Sequence, residues 1–151
     1  MSVIKTLDEL QGFAGREIAV TDWLEITQER INQFADATGD HQWIHTNPER
    51  AQRESPYGTT IAHGFLTLSL LPQFLKEAVQ LEDLRLAINY GLNRVRFPSA
   101  VLAGSRIRAR IVLQSVRDVA DSSEAVFSIT IESEGSDKPC CVAEWLARYY
   151  R

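Results

Sequence analysis

The sequence predicts an α+β protein in which a curved antiparallel sheet covers one buried helix. The first observation is the stretch over residues 65–79, which is apolar nearly all round, as is typical of a buried helix. The second is that after Leu81 apolar and polar residues alternate in four long segments, the pattern of half-buried antiparallel strands. Because one buried helix precedes these strands, the simplest arrangement curls the sheet around the helix.

Two helices and one strand are predicted at the start of the chain. A capping box that begins at Thr6 starts a short helix, and Gly15 ends it. β-branched and aromatic residues predict a strand over residues 17–26. Thr27 then caps a second helix, and Gly39 suits the left-handed position at its end.

The middle of the chain is predicted to contain a loop, a helix and a turn before the central helix. Residues 40–46 have no regular period, which indicates a loop. Asn47 and Pro48 restart a helix as its N-cap and first residue, and residues 55–58 form a turn. Pro72 lies inside the central helix, where its missing N–H predicts a bend or break.

Four strands follow the central helix. Their alternating residues lie within 84–90, 106–113, 127–132 and 141–149, and turns fall at 98–104, 118–123 and 134–139. No linker, internal repeat or low-complexity tract divides the chain. The sequence therefore predicts a single domain over residues 1–151.

Composition argues against several classes of protein. The net charge is -4 and no basic run is present, which disfavours nucleic-acid binding. Residues 1–13 are amphipathic without the apolar core of a signal peptide, and no apolar run is long enough to span a bilayer. Cys140 and Cys141 are neighbours in a predicted strand and point to opposite faces, so a mutual disulfide is disfavoured. Together these features predict a cytoplasmic protein.

The stretch between the second helix and the central helix holds the candidate site. Asp40 and His45 lie five positions apart in the predicted loop, and His63 follows near the start of the central helix. Alone, an Asp after a helix or a single His is ordinarily structural. Close together, a carboxylate and an imidazole can hold one water, which the carboxylate deprotonates while the imidazole orients it or donates a proton.

A metal site is the alternative interpretation of these residues. His41 and His45 have helical i, i+4 spacing, and Asp40 and His63 offer further ligands. That spacing brings two histidines together only on a helix, and the stretch between them is predicted to be a loop. The sequence therefore favours a site without a metal.

His63 and Gly64 also admit two interpretations. Gly64 either gives a tight entry to the buried helix or lets a substrate carbonyl approach the unpaired N–H groups at the helix start. Such groups stabilise developing oxyanion charge, and the helix dipole adds to the effect.

The segment from Phe34 to His45, FADATGDHQWIH, followed by Ala51, resembles the hydratase-2 motif of the MaoC-like dehydratases. These are the (R)-specific enoyl-CoA hydratases, and the segment is most similar to the branch that includes nodulation protein N. The segments IAHG at residues 61–64 and NRVRFP at residues 93–98 are also similar to that family. The resemblance covers nearly the whole chain.

The resemblance implies a hot-dog fold, in which a long helix is wrapped by an antiparallel sheet, and a homodimer whose sheets join. It implies that Asp40 and His45 are the catalytic pair. The implied reaction is the hydration of a trans-2-enoyl-CoA to the (R)-3-hydroxyacyl-CoA, without a metal or redox cofactor. Water addition also needs a stabiliser for the enolate-like thioester oxygen, a role that suits the N–H of Gly64.

The sequence departs from the family pattern at two positions beside the catalytic pair. Gln42 and Trp43 stand where the family commonly has Asn and Pro, which bears on the conformation of the loop and on substrate range. Some members also have a pocket Ser near the position of Pro72, and Pro72 has no hydroxyl with which to take that role.

Cations suit the phosphates of CoA, so we expect Asn93, Arg94 and Arg96 at the rim of the site. Two other functions stay open. Hot-dog proteins also host acyl-CoA thioesterases, because a fold does not fix a function. A non-catalytic module that binds acyl thioesters is the second alternative.

Overall fold

The computed structural model describes residues 2–151 and contains six helices and six strands within that range. The helices are α1 Leu7–Gln11, α2 Gln28–Thr38, α3 Trp43–Thr46, α4 Pro48–Glu54, α5 Gly64–Ser69 and α6 Leu71–Leu75. The strands are β1 Arg16–Val20, β2 Leu24–Glu25, β3 Leu86–Arg96, β4 Arg106–Val119, β5 Ser122–Ser133 and β6 Cys141–Tyr150.

All strand pairs are antiparallel. The sheet has the order β1-β4-β5-β6-β3, with β2 paired to β4 beside β1. Burial alternates residue by residue along β6 and along the first half of β4, as the alternating sequence predicts for strands with one covered face. Strand β3 lies at the edge of the sheet and is exposed along most of its length.

The core lies between the inner face of this sheet and helices α5 and α6. Leu66, Leu70, Leu71 and Phe74 belong to the same buried cluster as the inward side chains of β4, β5 and β6. Each such side chain stabilises the fold by about 1.5–3 kcal/mol through removal of apolar surface from water. The predicted α+β arrangement, with a sheet wrapped around a central helical segment, is confirmed.

The central helical segment differs from the prediction in two respects. Residues 65–79 do not form one helix, because α5 and α6 are separated at Leu70 and regular helix ends at Leu75. The break falls beside Pro72, where a proline was expected to interrupt the helix. Phe65, predicted to be buried, is 70% exposed in the first turn of α5, where its ring meets that of Phe97 edge-on with centroids 6.1 Å apart.

The predicted strand over residues 17–26 is also two strands in the structure. Thr21 separates β1 from β2, and its buried hydroxyl accepts a hydrogen bond from the backbone N–H of Ala109 at 2.9 Å. A side chain thus takes the place of one backbone acceptor, which ends the regular pairing with β4. Helix α1 ends at Gln11, before Gly15, and Gly15 lies in the turn into β1 with φ +85°.

The predicted helix boundaries around α2 and α4 are confirmed. The side chains of Thr27 and Asn47 accept hydrogen bonds from the backbone N–H groups of Arg30 and Arg50, and so cap the two helices. Gly39 ends α2 in the left-handed conformation with φ +81°. This turn directs the chain toward the candidate site.

Within residues 2–151, no helix is long and apolar enough to cross a membrane. Cys140 and Cys141 are both free thiols and both buried. Burial raises the pKa of Cys140 to about 12 and that of Cys141 to about 11, so neither supplies a thiolate at neutral pH.

Candidate active site

Three side chains of the candidate site converge at the ends of α2, α3 and the segment that precedes α5. A carboxylate oxygen of Asp40 and a ring nitrogen of each of His45 and His63 all lie within 4.8 Å of one another. His45 and His63 are buried, whereas the Asp40 side chain is about half exposed. The structure therefore brings together the predicted pair, Asp40 and His45, and places the second candidate histidine, His63, beside them.

The segment that holds His45 is not the irregular loop that the sequence predicted. Residues 43–46 form the short helix α3, which includes His45. The hydroxyl of Thr46 donates to the backbone carbonyls of His41 and Gln42 at 3.1 and 3.3 Å and so closes this turn. A single helical turn is too short to show a period in the sequence, which is why the loop prediction was wrong.

His41 lies outside α3 and away from His45. Its side chain is exposed, and its Nδ1 lies 3.8 Å from a carboxylate oxygen of Asp36. Because the helix begins two residues later, at Trp43, the i, i+4 pairing of His41 with His45 does not form. The histidine that approaches His45 is His63.

His45 is fixed in one tautomer. Its Nδ1 lies 2.7 Å from the backbone carbonyl oxygen of Ile61, which can only accept, so Nδ1 carries a hydrogen. In the neutral ring Nε2 then holds a lone pair. Burial is the main cause that lowers the pKa of His45 below its ordinary 6.5, partly offset by the bond to Ile61. At neutral pH His45 is therefore a hydrogen-bond acceptor at Nε2.

His63 supports the pair from the interior. Its ring stacks on that of His45 with centroids 3.8 Å apart, and Phe34 lies 4.9 Å from its centroid. Its Nε2 donates to the backbone carbonyl of Asp40 at 3.0 Å, and its buried Nδ1 has no hydrogen-bond partner among the described residues. His63 thus holds the backbone of Asp40, while its ring closes the inner wall of the site.

Asp40, His45 and His63 are also residue types that bind divalent metals. The two rings stack with centroids 3.8 Å apart and are inclined by only 23°, so their in-plane lone pairs lie in two nearly parallel planes, which does not suit two ligands of one metal ion. In addition, Nε2 of His63 is already hydrogen-bonded to the Asp40 carbonyl. The arrangement therefore fits a bound water better than a tetrahedral metal ion.

A cavity of about 440 Å³ opens beside these residues. Its lining mixes the candidate pair with aromatic side chains, and the residues are Phe34, Thr38, Asp40, His45, His63, Gly64, Phe65 and Phe97. A second cavity of about 290 Å³ shares His45, Gly64 and Phe97 with the first. Gly64 thus lines both cavities.

Gly64 is the first residue of α5, and Phe97 lies directly over it. A Cβ at position 64 would lie 3.1 Å from the Phe97 ring, so glycine permits this close packing. The first N–H groups of a helix have no intrahelical acceptor, which leaves the N–H of Gly64 free to bind an anion. Both interpretations of Gly64, as a tight entry and as a donor, are compatible with this geometry.

The predicted CoA-binding residues lie near the site but do not line it. Asn93, Arg94 and Arg96 are exposed on the edge strand β3. None of the three lines the cavity, and the next residue along the chain, Phe97, does. The Asn93 amide donates to Glu144 at 3.3 Å. The structure therefore does not bring these three residues together with Asp40 and His45 in this chain.

Two residues that support the site had no signal in the sequence. The side-chain amide of Gln28 donates to the backbone carbonyl of His45 at 2.7 Å and accepts a hydrogen bond from the buried hydroxyl of Thr60. Gln28 is 17 positions from His45 and 32 from Thr60. Since no local pattern relates residues so far apart, only the folded chain shows the connection.

This fold and site define a class of protein: a helix wrapped by an antiparallel sheet, with a carboxylate and a neutral imidazole facing one cavity. Comparisons with known proteins agree with that class. Residues 9–134 match the family described as MaoC like domain. The chain belongs to this family, and its fold is the hot-dog fold, as the sequence resemblance implied.

The chain is 51% identical over 150 residues to 3-hydroxyacyl-thioester dehydratase Z of Mycobacterium tuberculosis, with 99% of each chain covered. It is 42% identical over 144 residues to nodulation protein N of Rhizobium meliloti, with 94% of this chain and 89% of the relative covered. A solved MaoC-like dehydratase from Rhodospirillum rubrum superposes with a TM-score of 0.74 at 16% identity, over 97% of each chain. These findings place the chain among the dehydratases of the MaoC family.

Proposed function

We propose that this protein catalyses the reversible (R)-specific hydration of trans-2-enoyl-CoA to (R)-3-hydroxyacyl-CoA. The observation that carries the proposal is the convergence of Asp40 and His45 on one cavity beside the first N–H of α5. This arrangement offers the three functions that water addition needs: a base, a second partner for the water, and an oxyanion donor.

The attacking water is held by two acceptors. Two hydrogen bonds of ordinary length span up to about 5.6 Å. A carboxylate oxygen of Asp40 and a ring nitrogen of His45 lie within 4.8 Å of each other, so one water fits between the two side chains, where it donates to the carboxylate and to Nε2 of His45. The two hydrogens of the water then point to these groups, and an oxygen lone pair is left for the β-carbon. Asp40 takes one proton as the hydroxyl adds, and the α-carbon receives a proton from the pair. The net result is addition of H and OH, and dehydration is the reverse.

The thioester oxygen gains negative charge as the β-carbon is attacked. In the proposed complex this oxygen accepts from the N–H of Gly64, where the start of α5 favours an anion. His63 contributes by fixing the Asp40 backbone through its Nε2. The reaction on this proposal needs neither a metal nor a redox cofactor.

We also propose a homodimer joined at β3. This edge strand exposes Leu86, Ile88, Tyr90 and Leu92, each more than 40% accessible. Exposed apolar edge strands are ordinarily covered, and pairing of β3 with β3 of a second copy covers the exposed edge of both protomers. Light scattering at micromolar concentration should give twice the mass of one chain, and a monomer mass would contradict the proposal.

Because Arg94 and Arg96 lie on the same edge strand, we propose that they meet the CoA phosphates across the dimer. Arg94→Ala and Arg96→Ala should raise the Michaelis constant for an enoyl-CoA with little change in turnover. Unchanged Michaelis constants in both variants would remove these two residues from the substrate site.

The reaction itself is tested with crotonyl-CoA as the substrate. Loss of the enoyl absorbance without release of thiol supports hydration, and chiral analysis of the product should give the (R)-alcohol. Release of free CoA would instead identify a thioesterase. Saturable binding without turnover of either kind would identify a non-catalytic acyl-thioester-binding protein.

A further inference from the structure

Helix α3, which carries His45, has only four residues, and the side chain of its N-cap, Gln42, makes no capping hydrogen bond. One isolated helical turn is not stable by itself. The position of His45 must therefore come from contacts with the rest of the chain, and those contacts identify residues on which the reaction depends.

We infer that Gln28, with Thr60, is a positioning residue that fixes the His45 imidazole for the reaction. The inference rests on the proposed function in that it assigns a role to His45. Gln28 is the first residue of α2, and its side-chain NH₂ donates to the backbone carbonyl of His45 at 2.7 Å. Its carbonyl oxygen accepts from the hydroxyl of Thr60.

The two ends of the Gln28 amide reach the two segments that determine the orientation of the ring. One segment is α3, which carries His45. The other is the extended segment with Thr60 and Ile61, and the carbonyl of Ile61 accepts from Nδ1 of His45 at 2.7 Å. The Gln28 side chain thus links the backbone of His45 to Thr60, the residue next to Ile61, which accepts the hydrogen bond from the His45 ring.

The second segment is itself anchored to the rest of the fold. The N–H of Ala62 donates to Val101 at 2.8 Å, and the N–H of Ala103 donates to Thr60 at 2.9 Å. The N–H of Ile61 donates to the carbonyl of Ile44 at 3.0 Å. The backbone around Thr60 is therefore held in place by the rest of the fold, and the side chain of Gln28 connects it to α3.

This connection also explains how the chain forms its site without the Asn and Pro of the family pattern. Gln42 and Trp43 stand at those positions, and Trp43 packs under the guanidinium of Arg50 at 4.3 Å from its ring centroid rather than entering the site. The amide of Gln28 supplies a link to α3 from outside the motif.

The experiment compares Gln28→Met, Gln28→Glu and Thr60→Val with the parent enzyme on crotonyl-CoA. Gln28→Met keeps the size and removes both hydrogen bonds, and we expect turnover to fall about 10- to 100-fold with little change in the Michaelis constant, since small misplacements of reacting groups have effects of this order. Thr60→Val removes only the hydrogen bond from Thr60 to Gln28 and should lower turnover less. Asn32→Ala removes the exposed bond from Gln28 to Asn32 and is the matched control, which should stay within about two-fold.

Gln28→Glu separates positioning from mere stabilisation of α2. A carboxylate at the first residue of a helix is favoured by the helix dipole, so a purely structural role predicts an unchanged or higher unfolding midpoint and full activity. The side-chain NH₂ of Gln28 donates to the backbone carbonyl of His45, whereas a carboxylate oxygen in its place repels that carbonyl. We therefore expect Gln28→Glu to lose turnover as Gln28→Met does, without loss of stability.

Long-range proton–nitrogen NMR of the imidazole gives a readout that does not depend on activity. In the parent, His45 should show hydrogen at Nδ1, with the signal assigned by its loss in His45→Gln. In Gln28→Met the tautomers should mix as the bond to Ile61 weakens. If the parent is inactive but the tautomers mix, the proposed function fails and the positioning role stands. If the variants keep the turnover and tautomer of an active parent, the positioning role is wrong.

Discussion

Asp40→Asn is the substitution that tests the proposed chemistry most directly. Asparagine is nearly isosteric with aspartate but cannot accept a proton from water. Loss of a general base ordinarily lowers the rate by ~10²–10⁴-fold, which corresponds to about 2.7–5.4 kcal/mol of transition-state stabilisation. The same variant should change the free energy of unfolding little.

The structure gives the reason for this small effect on stability. The Asp40 side chain is 53% exposed, and the hydrogen bond that it accepts from the backbone N–H of Gln42 is long at 3.4 Å. The amide oxygen of asparagine can accept the same bond. We therefore expect a change in stability below about 1 kcal/mol, well under the effect on the barrier.

The assay is the initial rate of crotonyl-CoA hydration, with the unfolding midpoint measured on the same sample. His41→Ala is the control, because the His41 side chain is exposed and its Nδ1 lies 3.8 Å from the carboxylate of Asp36, outside the site. A folded Asp40→Asn enzyme within a few-fold of the parent rate would refute the assignment. If His41→Ala were as damaging as His45→Gln, and activity followed added zinc, a metal site would explain the data better.

Three further predictions concern the surroundings of the pair. Because burial lowers the pKa of His45, turnover efficiency should fall as the pH drops through that lowered value. The unfolding midpoint should fall as the pH drops from 6.5 toward the same value, since the unfolded chain binds the proton more readily; a rate that stays constant down to the pH at which the protein unfolds would contradict this. Gly64→Ala should lower turnover because its Cβ meets the Phe97 ring at 3.1 Å, and Phe97→Leu in the same chain should restore part of it if the clash is the cause. Glu124→Gln should lower the unfolding midpoint by several degrees without loss of specific activity, because it leaves the largely buried Arg148 side chain without its carboxylate partner. Calorimetry measures the midpoint, and an unchanged value would show that this ion pair does not stabilise the fold.

Local sequence determined the elements of this fold that depend on neighbours in the chain. The caps at Thr27 and Asn47 and the left-handed Gly39 were predicted correctly, since each is a contact within a few residues. The alternation in β4 and β6 likewise predicted which face each strand buries. The family resemblance, which joined several such segments, gave the hot-dog fold.

Local pattern was insufficient where a tertiary contact replaced a local rule. The hydroxyl of Thr21 substitutes for a backbone acceptor and divides one predicted strand into β1 and β2. Helix α3 is a single turn held by contacts from distant segments, so its sequence has no period. Phe65 looked like a core residue by type and is exposed, because burial depends on what packs against a position.

The candidate site shows the same division. The sequence by itself proposed Asp40 and His45 as the candidate pair, because an acid and an imidazole share one short segment and both positions match the hydratase motif. Only the tertiary structure decided the tautomer of His45, the stacking of His63 beneath it and the link through Gln28 and Thr60. These depend on hydrogen bonds and packing between residues 16 to 32 positions apart, and the geometry of such contacts exists only when the chain is folded.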